Sequence, residues 1–109
     1  MRTHLPLLLS LTCLAWAGAA RADAPVVHLT LQGHRFVPAE ITIPANTKVE
    51  LVVKNADPTS AEFESSDLNR EKVVTAGREL HLWIGPLSPG RYQFFDDFHP
   101  ATQGTLIAQ

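Results

Sequence analysis

The chain has 109 residues, with nine basic and eleven acidic side chains and a formal net charge of −2. A chain of this length predicts a single domain with one hydrophobic core. A single cysteine excludes a scaffold held together by disulfides, and an acidic chain without a basic cluster argues against nucleic acid as a partner.

The first 22 residues are typical of a secretory signal peptide. Arg2 supplies a positive start, residues 5–20 are mostly apolar, and Ala20-Arg21-Ala22 has the small-residue pattern of a cleavage site before Asp23. We therefore expect residues 1–22 to be removed and residues 23–109 to form the mature domain. After cleavage this domain is not expected to be embedded in a membrane.

Loss of the leader changes the chemistry that the chain offers. It removes two arginines, which takes the formal charge from −2 to −4, and it removes Cys13 and Met1, the only cysteine and the only methionine. The mature domain therefore has no thiolate and no thioether. This excludes a cysteine nucleophile, a zinc–thiolate site, an iron–sulfur cluster and a blue-copper centre.

Turn residues divide the mature chain into short β-prone segments. The segment at 49–54 alternates, with Val49, Leu51 and Val53 on one face, and the segment at 79–84 alternates in the same way. Residues 36–38 are interpreted as a break, and residues 55–58 and 85–90 as turns. We predict strands at residues 26–31, 40–43, 49–54, 61–64, 71–74, 79–84, 92–95 and 105–108. About seven or eight short strands without a helical pattern predict an all-β sandwich or Greek-key barrel.

The end of the 92–95 strand carries the strongest candidate for chemistry. Tyr92 and Phe94 share a face, which predicts the core face, and Asp96 continues it. A carboxylate at an inward position is costly unless it is paired, protonated or bound to a metal. Asp97 and His99 follow at once, so that the segment offers mixed oxygen and nitrogen ligands for Fe, Cu, Mn or Zn. The alternative is ordinary turn chemistry, in which the acids cap the turn and His99 is solvated.

Three other residues are candidates to complete a site. Glu62 and Glu64 lie on one face of a short strand, opposite Phe63, and this face is either the solvated side of the strand or part of a site beside Asp96. His34 follows the flexible Gly33 and is either a solvated loop histidine or an outer ligand. We assign no role to His28 and His81.

Several sequence motifs resemble a known family over about residues 27–108. The motifs are Phe36-x-Pro38-x-x-Ile41-Thr42-Ile43, Lys54-Asn55-x-Asp57, Gly90-x-Tyr92-x-Phe94, Phe94-Phe95-Asp96-Asp97-Phe98-His99-Pro100 and Gly104-x-Leu106. They resemble the cupredoxins, and in particular the periplasmic Efe-type and Ftr-type cupredoxin-like proteins linked to bacterial iron uptake. The resemblance implies a cupredoxin-like Greek-key β-sandwich located in the periplasm.

The resemblance does not extend to the ligands of blue copper. The cysteine position of a copper-transfer cupredoxin falls on Asp96, its second histidine on His99, its first histidine near Glu62 and its axial methionine near Gln103. Only one of these four has the expected type. The resemblance therefore implies the cupredoxin fold but does not imply the type 1 copper function.

The iron-uptake relatives imply a different metal site. The resemblance predicts an iron or copper ion held by Glu62, Asp96 and His99, with His34 and Glu64 as outer candidates. It also implies partners, a periplasmic iron/copper-binding protein and a membrane iron permease, and a role in oxidising or handing over Fe(II).

Two other functions are consistent with the sequence. A metal-free module could dock a basic partner through its acidic loop, which the charge of the mature chain fits. An enzyme with Asp96 and Asp97 as acid and base is disfavoured, because adjacent strand residues point to opposite faces.

Overall fold

The computed structural model describes residues 3–4 and 23–109, and all of its regular structure is β-strand. The signal peptide predicted for residues 1–22 lies almost entirely outside the described residues. No helix in the described part of the chain has the length and apolarity to cross a membrane. The strands are β1 Val26–Gln32, β2 Arg35–Val37, β3 Glu40–Ile43, β4 Val49–Asn55, β5 Ala61–Ser65, β6 Arg70–Val74, β7 Glu79–Ile84, β8 Gly90–Asp96 and β9 His99–Ala108.

The nine strands form two mixed sheets that face each other. One sheet has the order β2-β1-β4-β7 and the other β3-β9-β8-β5-β6. β1 pairs with β4 in parallel, as β3 does with β9, and the other pairs are antiparallel. This all-β sandwich confirms the predicted fold class, and the predicted strand segments all lie within observed strands.

The core lies between the sheets because side chains alternate along each strand. Val49, Leu51 and Val53 of β4 are buried together, as their spacing predicted. Phe94 of β8 packs at the centre, with its ring centroid 5.0 Å from that of Phe36 and 5.3 Å from that of Phe63. The inner face of β8 thus leads from an aromatic core to the position that Asp96 occupies.

Two segments differ from the sequence prediction. Residues 35–37, interpreted as a break, form the three-residue strand β2, which pairs with the end of β1 across the turn at Gly33 and His34. The last strand begins at His99 and not at residue 105, because Asp97 and Phe98 form a tight turn after β8. The register of β9 then shifts, since Asp96 pairs with His99 whereas Phe95 pairs with Gln103. The predicted C-terminal loop is therefore mostly strand.

The outer face of the first sheet carries an ion pair that the sequence did not indicate. His81 of β7 lies opposite Val52, and its Nδ1 is 2.7 Å from a carboxylate oxygen of Glu50 on β4. The hydrogen bond with Glu50, and then the charges of Glu50 and Glu79, raise the pKa of His81. A raised pKa in the folded protein stabilises it at low pH, and this contribution disappears as the pH rises through the raised value.

We therefore expect the free energy of unfolding to fall less steeply above about pH 6.5 in the His81→Gln variant than in the parent. Urea unfolding near pH 6 and near pH 8.5 measures this difference. Between these two pH values the parent should lose more unfolding free energy than the variant. His28→Gln, which changes an exposed histidine on β1, should keep the parent's pH dependence. An identical loss in parent and His81→Gln would contradict this assignment.

Candidate metal-binding site

The pairing of β5 with β8 determines where the candidate ligands point. Phe63 pairs with Asp96, and both side chains are buried on the inner face. Glu62, Glu64 and Asp97 are each one residue away from this pair, so their side chains lie on the outer face. The backbone N–H of Asp97 donates to the carbonyl of Glu62 at 2.9 Å and extends the pairing into the turn.

Asp96 is fully buried, and both of its carboxylate oxygens have protein partners. Its Oδ1 accepts hydrogen bonds from the backbone N–H of Glu62 at 2.9 Å and of Phe98 at 3.0 Å. Its Oδ2 lies 3.0 Å from Nδ1 of His99. These contacts satisfy a buried charge, fix the turn and tie β5 to β8. They explain a carboxylate on the core face without a metal ligand role.

His99 and His34 meet above Asp96. Their ring centroids are 4.1 Å apart and the ring planes are inclined by 38°. His34 comes from the β1–β2 turn, where a second buried carboxylate, that of Asp57, accepts hydrogen bonds from the N–H groups of Gly33 and His34. The N–H of His34, with that of Gly33 and the nearby imidazoles, holds the pKa of Asp57 below its usual range, although burial acts in the opposite direction.

Glu62, Glu64 and Asp97 form what we term the carboxylate cluster. Each side chain offers a carboxylate oxygen, and these oxygens all lie within 4.8 Å of one another. In the described part of the chain, no other three acid, histidine or cysteine side chains bring their ligand atoms this close together. Glu71 of β6 pairs with Glu64 across the strands and adds a fourth negative charge.

The environment of the carboxylate cluster disfavours its full ionisation. Partial burial, followed by the proximity of Glu71 and Asp97, raises the pKa of Glu62. Partial burial, followed by the charges of Asp97 and Glu71, raises the pKa of Glu64. Like charges at close range favour the protonated form, and a bound cation would relieve the same repulsion.

The predicted ligand set thus divides between the two faces of the β5–β8 pair. Glu62 and Glu64 lie on the outer face, whereas Asp96, His99 and His34 come together at the inner face and the end of the sandwich.

The ligand set predicted from the sequence left out two participants, Asp97, which was considered as a donor only beside Asp96 and His99, and Asp57. Asp97 could have been found from the alternation that places it on the face opposite Asp96. Asp57 lies in a segment interpreted as a turn and as part of a cupredoxin motif, and no local signal links it to His34.

The side chains do not fit a blue-copper centre. The sequence resemblance predicts the thiolate position at Asp96, whose carboxylate oxygens are already engaged by two N–H groups and an imidazole. No cysteine or methionine occurs between residues 23 and 109. A type 1 copper site requires a cysteine thiolate, so electron transfer through such a site is not a function of this domain.

Comparisons with known proteins agree with this fold. An uncharacterized protein of Rickettsia prowazekii (strain Madrid E) is 45% identical over 82 residues, which cover 74% of this chain and 66% of the relative. This chain therefore matches slightly less than two thirds of that protein. The profile of the cupredoxin-like domain family matches residues 5–108.

Two solved structures, of a cupredoxin and of a copper-transporter domain, have the same architecture at low sequence identity. A novel purple cupredoxin from Nitrosopumilus maritimus superposes with a TM-score of 0.62 at 20% identity, over 80% of this chain and 100% of that one. The metal-binding domain of the Cu(I)-exporting P-type ATPase CopA of Streptococcus pneumoniae D39, solved with Cu(I), gives 0.70 at 15% identity, over 77% and 84%. With the family match over residues 5–108, these findings establish that the chain belongs to the cupredoxin-like domain family.

Proposed function

We propose that this protein is a periplasmic metal-binding cupredoxin-like protein that holds iron at the carboxylate cluster and serves a bacterial iron-uptake system. The observation that carries the metal site is the convergence of Glu62, Glu64 and Asp97, whose oxygens lie within 4.8 Å of one another. Membership of a fold family with copper-binding members supports a role in metal handling.

The donor set favours iron over copper at this cluster. Three carboxylates suit hard ions such as Fe(III), Mn(II) and Mg(II), whereas soft Cu(I) prefers sulfur ligands, which the domain lacks. The resemblance to Efe-type and Ftr-type proteins selects iron among the hard ions. It also supplies the proposed partners, a periplasmic iron/copper-binding protein and a membrane iron permease, to which the bound iron would be passed.

The proposal predicts one iron site that depends on the glutamates of the cluster. In a calorimetric titration with Fe(II) under anaerobic conditions, we expect the Glu64→Gln variant to bind at least tenfold more weakly than the parent, because one charged ligand is lost. Glu40→Gln is the matched control, since Glu40 is an exposed acid on β3. Equal affinity of parent and Glu64→Gln would contradict the assignment of the site.

The same cluster predicts an opposite effect on the metal-free protein. The raised pKa values of Glu62 and Glu64 mean that the folded state is destabilised as the pH rises above the value of about 4.3 for an isolated glutamate. The metal-free Glu64→Gln variant should therefore unfold at a higher temperature than the parent at neutral pH, with the difference vanishing near pH 4. Thermal unfolding in a chelator measures both, and a lower unfolding temperature at pH 7 would contradict the repulsion.

A second candidate function is favoured by the tip of the β8–β9 turn. Phe98 is 48% exposed there and lies next to Asp97 of the carboxylate cluster. An exposed aromatic residue beside acids is typical of a surface that docks a partner with basic and apolar side chains. Docking of this kind weakens as salt is raised, whereas a chelated ion survives moderate salt.

A further inference from the structure

Trp83 is a large aromatic residue that neither the core nor the carboxylate cluster uses. It points outward from β7, is more than half exposed, and is the only tryptophan between residues 23 and 109. Nζ of Lys48 lies 4.7 Å from the centroid of its ring, and a cation at this distance is attracted to the ring and helps to hold it in place. Tryptophan is among the residue types most enriched at the energetic centres of protein interfaces. Its exposure on the surface of a sheet therefore points to a binding surface.

The outer face of the sheet β2-β1-β4-β7, which we term the first-sheet face, groups most of the exposed large apolar residues of the described chain. Val26, Val37 and Trp83 lie on it and are each more than half exposed, whereas the other two such residues lie near the carboxylate cluster. Val26 and Trp83 lie in one row across the strands, on either side of Glu50. Apolar side chains grouped on one face among polar ones are typical of a surface that another protein covers.

The charges on the first-sheet face suit a partner that presents the same face. β4 runs through this face, with Val52 at the middle of its outer side and with Glu50 and Lys54 two residues before and after it. A two-fold axis that crosses β4 at Val52, at right angles to the strand, places Glu50 of each copy opposite Lys54 of the other. Lys54 takes part in none of the ion pairs within the described residues, so its charge is available.

A second copy suits these charges better than a partner of one charge sign. Both Glu50–Lys54 contacts across the axis are attractive, whereas a uniformly acidic partner would repel Glu50 and a uniformly basic partner would repel Lys54. An isologous contact also buries the exposed apolar residues of both copies at once.

We propose that the first-sheet face binds a second copy of this chain and forms a symmetric dimer about the axis at Val52. Burial of the three exposed apolar side chains supplies the gain in apolar contact, and the two Glu50–Lys54 pairs set the register. The carboxylate cluster lies on the outer face of the other sheet, so the dimer leaves both clusters open to solvent. The dimer therefore does not depend on metal binding.

Sedimentation equilibrium over a wide range of protein concentration tests for this dimer. The sample is the processed protein without residues 1–22, which contains every strand of the described fold. We expect a reversible monomer–dimer equilibrium, with the emission of Trp83 moving to shorter wavelength along the same concentration curve as the ring leaves water. Trp83→Thr keeps a β-prone residue on β7 and should weaken association at least about tenfold. Val73→Thr, the matched control, changes a similarly exposed apolar residue of the second sheet and should leave the association constant unchanged.

A pair of charge reversals tests the position of the axis. In Lys54→Glu the axis brings acid opposite acid, and in Glu50→Lys it brings base opposite base, so each variant alone should associate at least about tenfold more weakly than the parent. In an equimolar mixture the two variants are complementary again, and the heterodimer should regain most of the parent's affinity. A folding defect in either variant cannot produce this recovery. Added salt should weaken the heterodimer, because it screens the attraction between the two variants.

Three results would overturn the proposal. One is a monomer at every concentration, with no change in the emission of Trp83. Another is association that Trp83→Thr leaves unchanged, or that Trp83→Thr and Val73→Thr weaken equally, which would place the interface elsewhere. The third is a mixture of the two charge variants that associates no more tightly than either variant alone, which would contradict the axis at Val52. All these measurements are made in a chelator, so the dimer and the iron site stand or fall separately.

Discussion

Replacing Asp96 with alanine is expected to lower the free energy of unfolding by roughly 3–5 kcal/mol, because it removes a buried charge-assisted acceptor and leaves the N–H groups of Glu62 and Phe98 without partners. These two bonds join β5 to β8 and close the turn at residues 97–98. Denaturant unfolding measures the loss.

The adjacent acid provides a matched control for this effect. Asp97→Ala changes an exposed side chain on the opposite face and should alter stability by no more than about 0.5 kcal/mol, with relief of repulsion acting in the stabilising direction. Similar small losses in both variants would contradict a structural role for Asp96.

Replacing Gly104 with alanine is expected to destabilise the fold by about 3 kcal/mol, at the upper end of the usual cost of overpacking. A Cβ at this position would lie 2.4 Å from two ring carbons of Phe94 and 3.0 Å from the carbonyl oxygen of Ala39. Phe36 and Phe63 pack against the ring of Phe94, so a shift of this ring would disturb the aromatic core. Thermal or urea unfolding measures the change.

A second glycine and a compensating change make this prediction specific. Gly90→Ala, at the start of β8, places its Cβ no closer than 3.7 Å to any neighbour and should cost far less. Adding Phe94→Leu to Gly104→Ala should recover part of the loss, because the smaller side chain vacates the clashing atoms. If the double variant loses as much unfolding free energy as the two single variants lose together, or more, the clash is not the cause.

Alternation was sufficient to predict which faces of the strands are buried. Tyr92, Phe94 and Asp96 share the inner face of β8, and Glu62 and Glu64 share the outer face of β5, as the period of two requires. The three-residue strand β2 was missed because it is too short to show a period and lies next to Pro38. It forms because the left-handed turn at Gly33 and His34 returns the chain to β1.

The grouping of the ligands could not be read from local patterns. It depends on which strands are neighbours, and the pairing of Phe63 with Asp96 turns Glu62 away from the Asp96 side chain. The partners of Asp96 depend on the same pairing. The contact of Asp57 with the β1–β2 turn joins residues 23 positions apart, and no spacing in the sequence indicates it.

The most direct measurement of the central claim is X-ray absorption at the iron edge of the iron-loaded protein. We predict one iron per chain after desalting, with a first shell of oxygen atoms only and without the outer-shell scattering of imidazole. We also predict that the Glu62→Gln/Glu64→Gln double variant loses this iron. Imidazole scattering, or the same iron content in the double variant, would contradict an iron site at the carboxylate cluster.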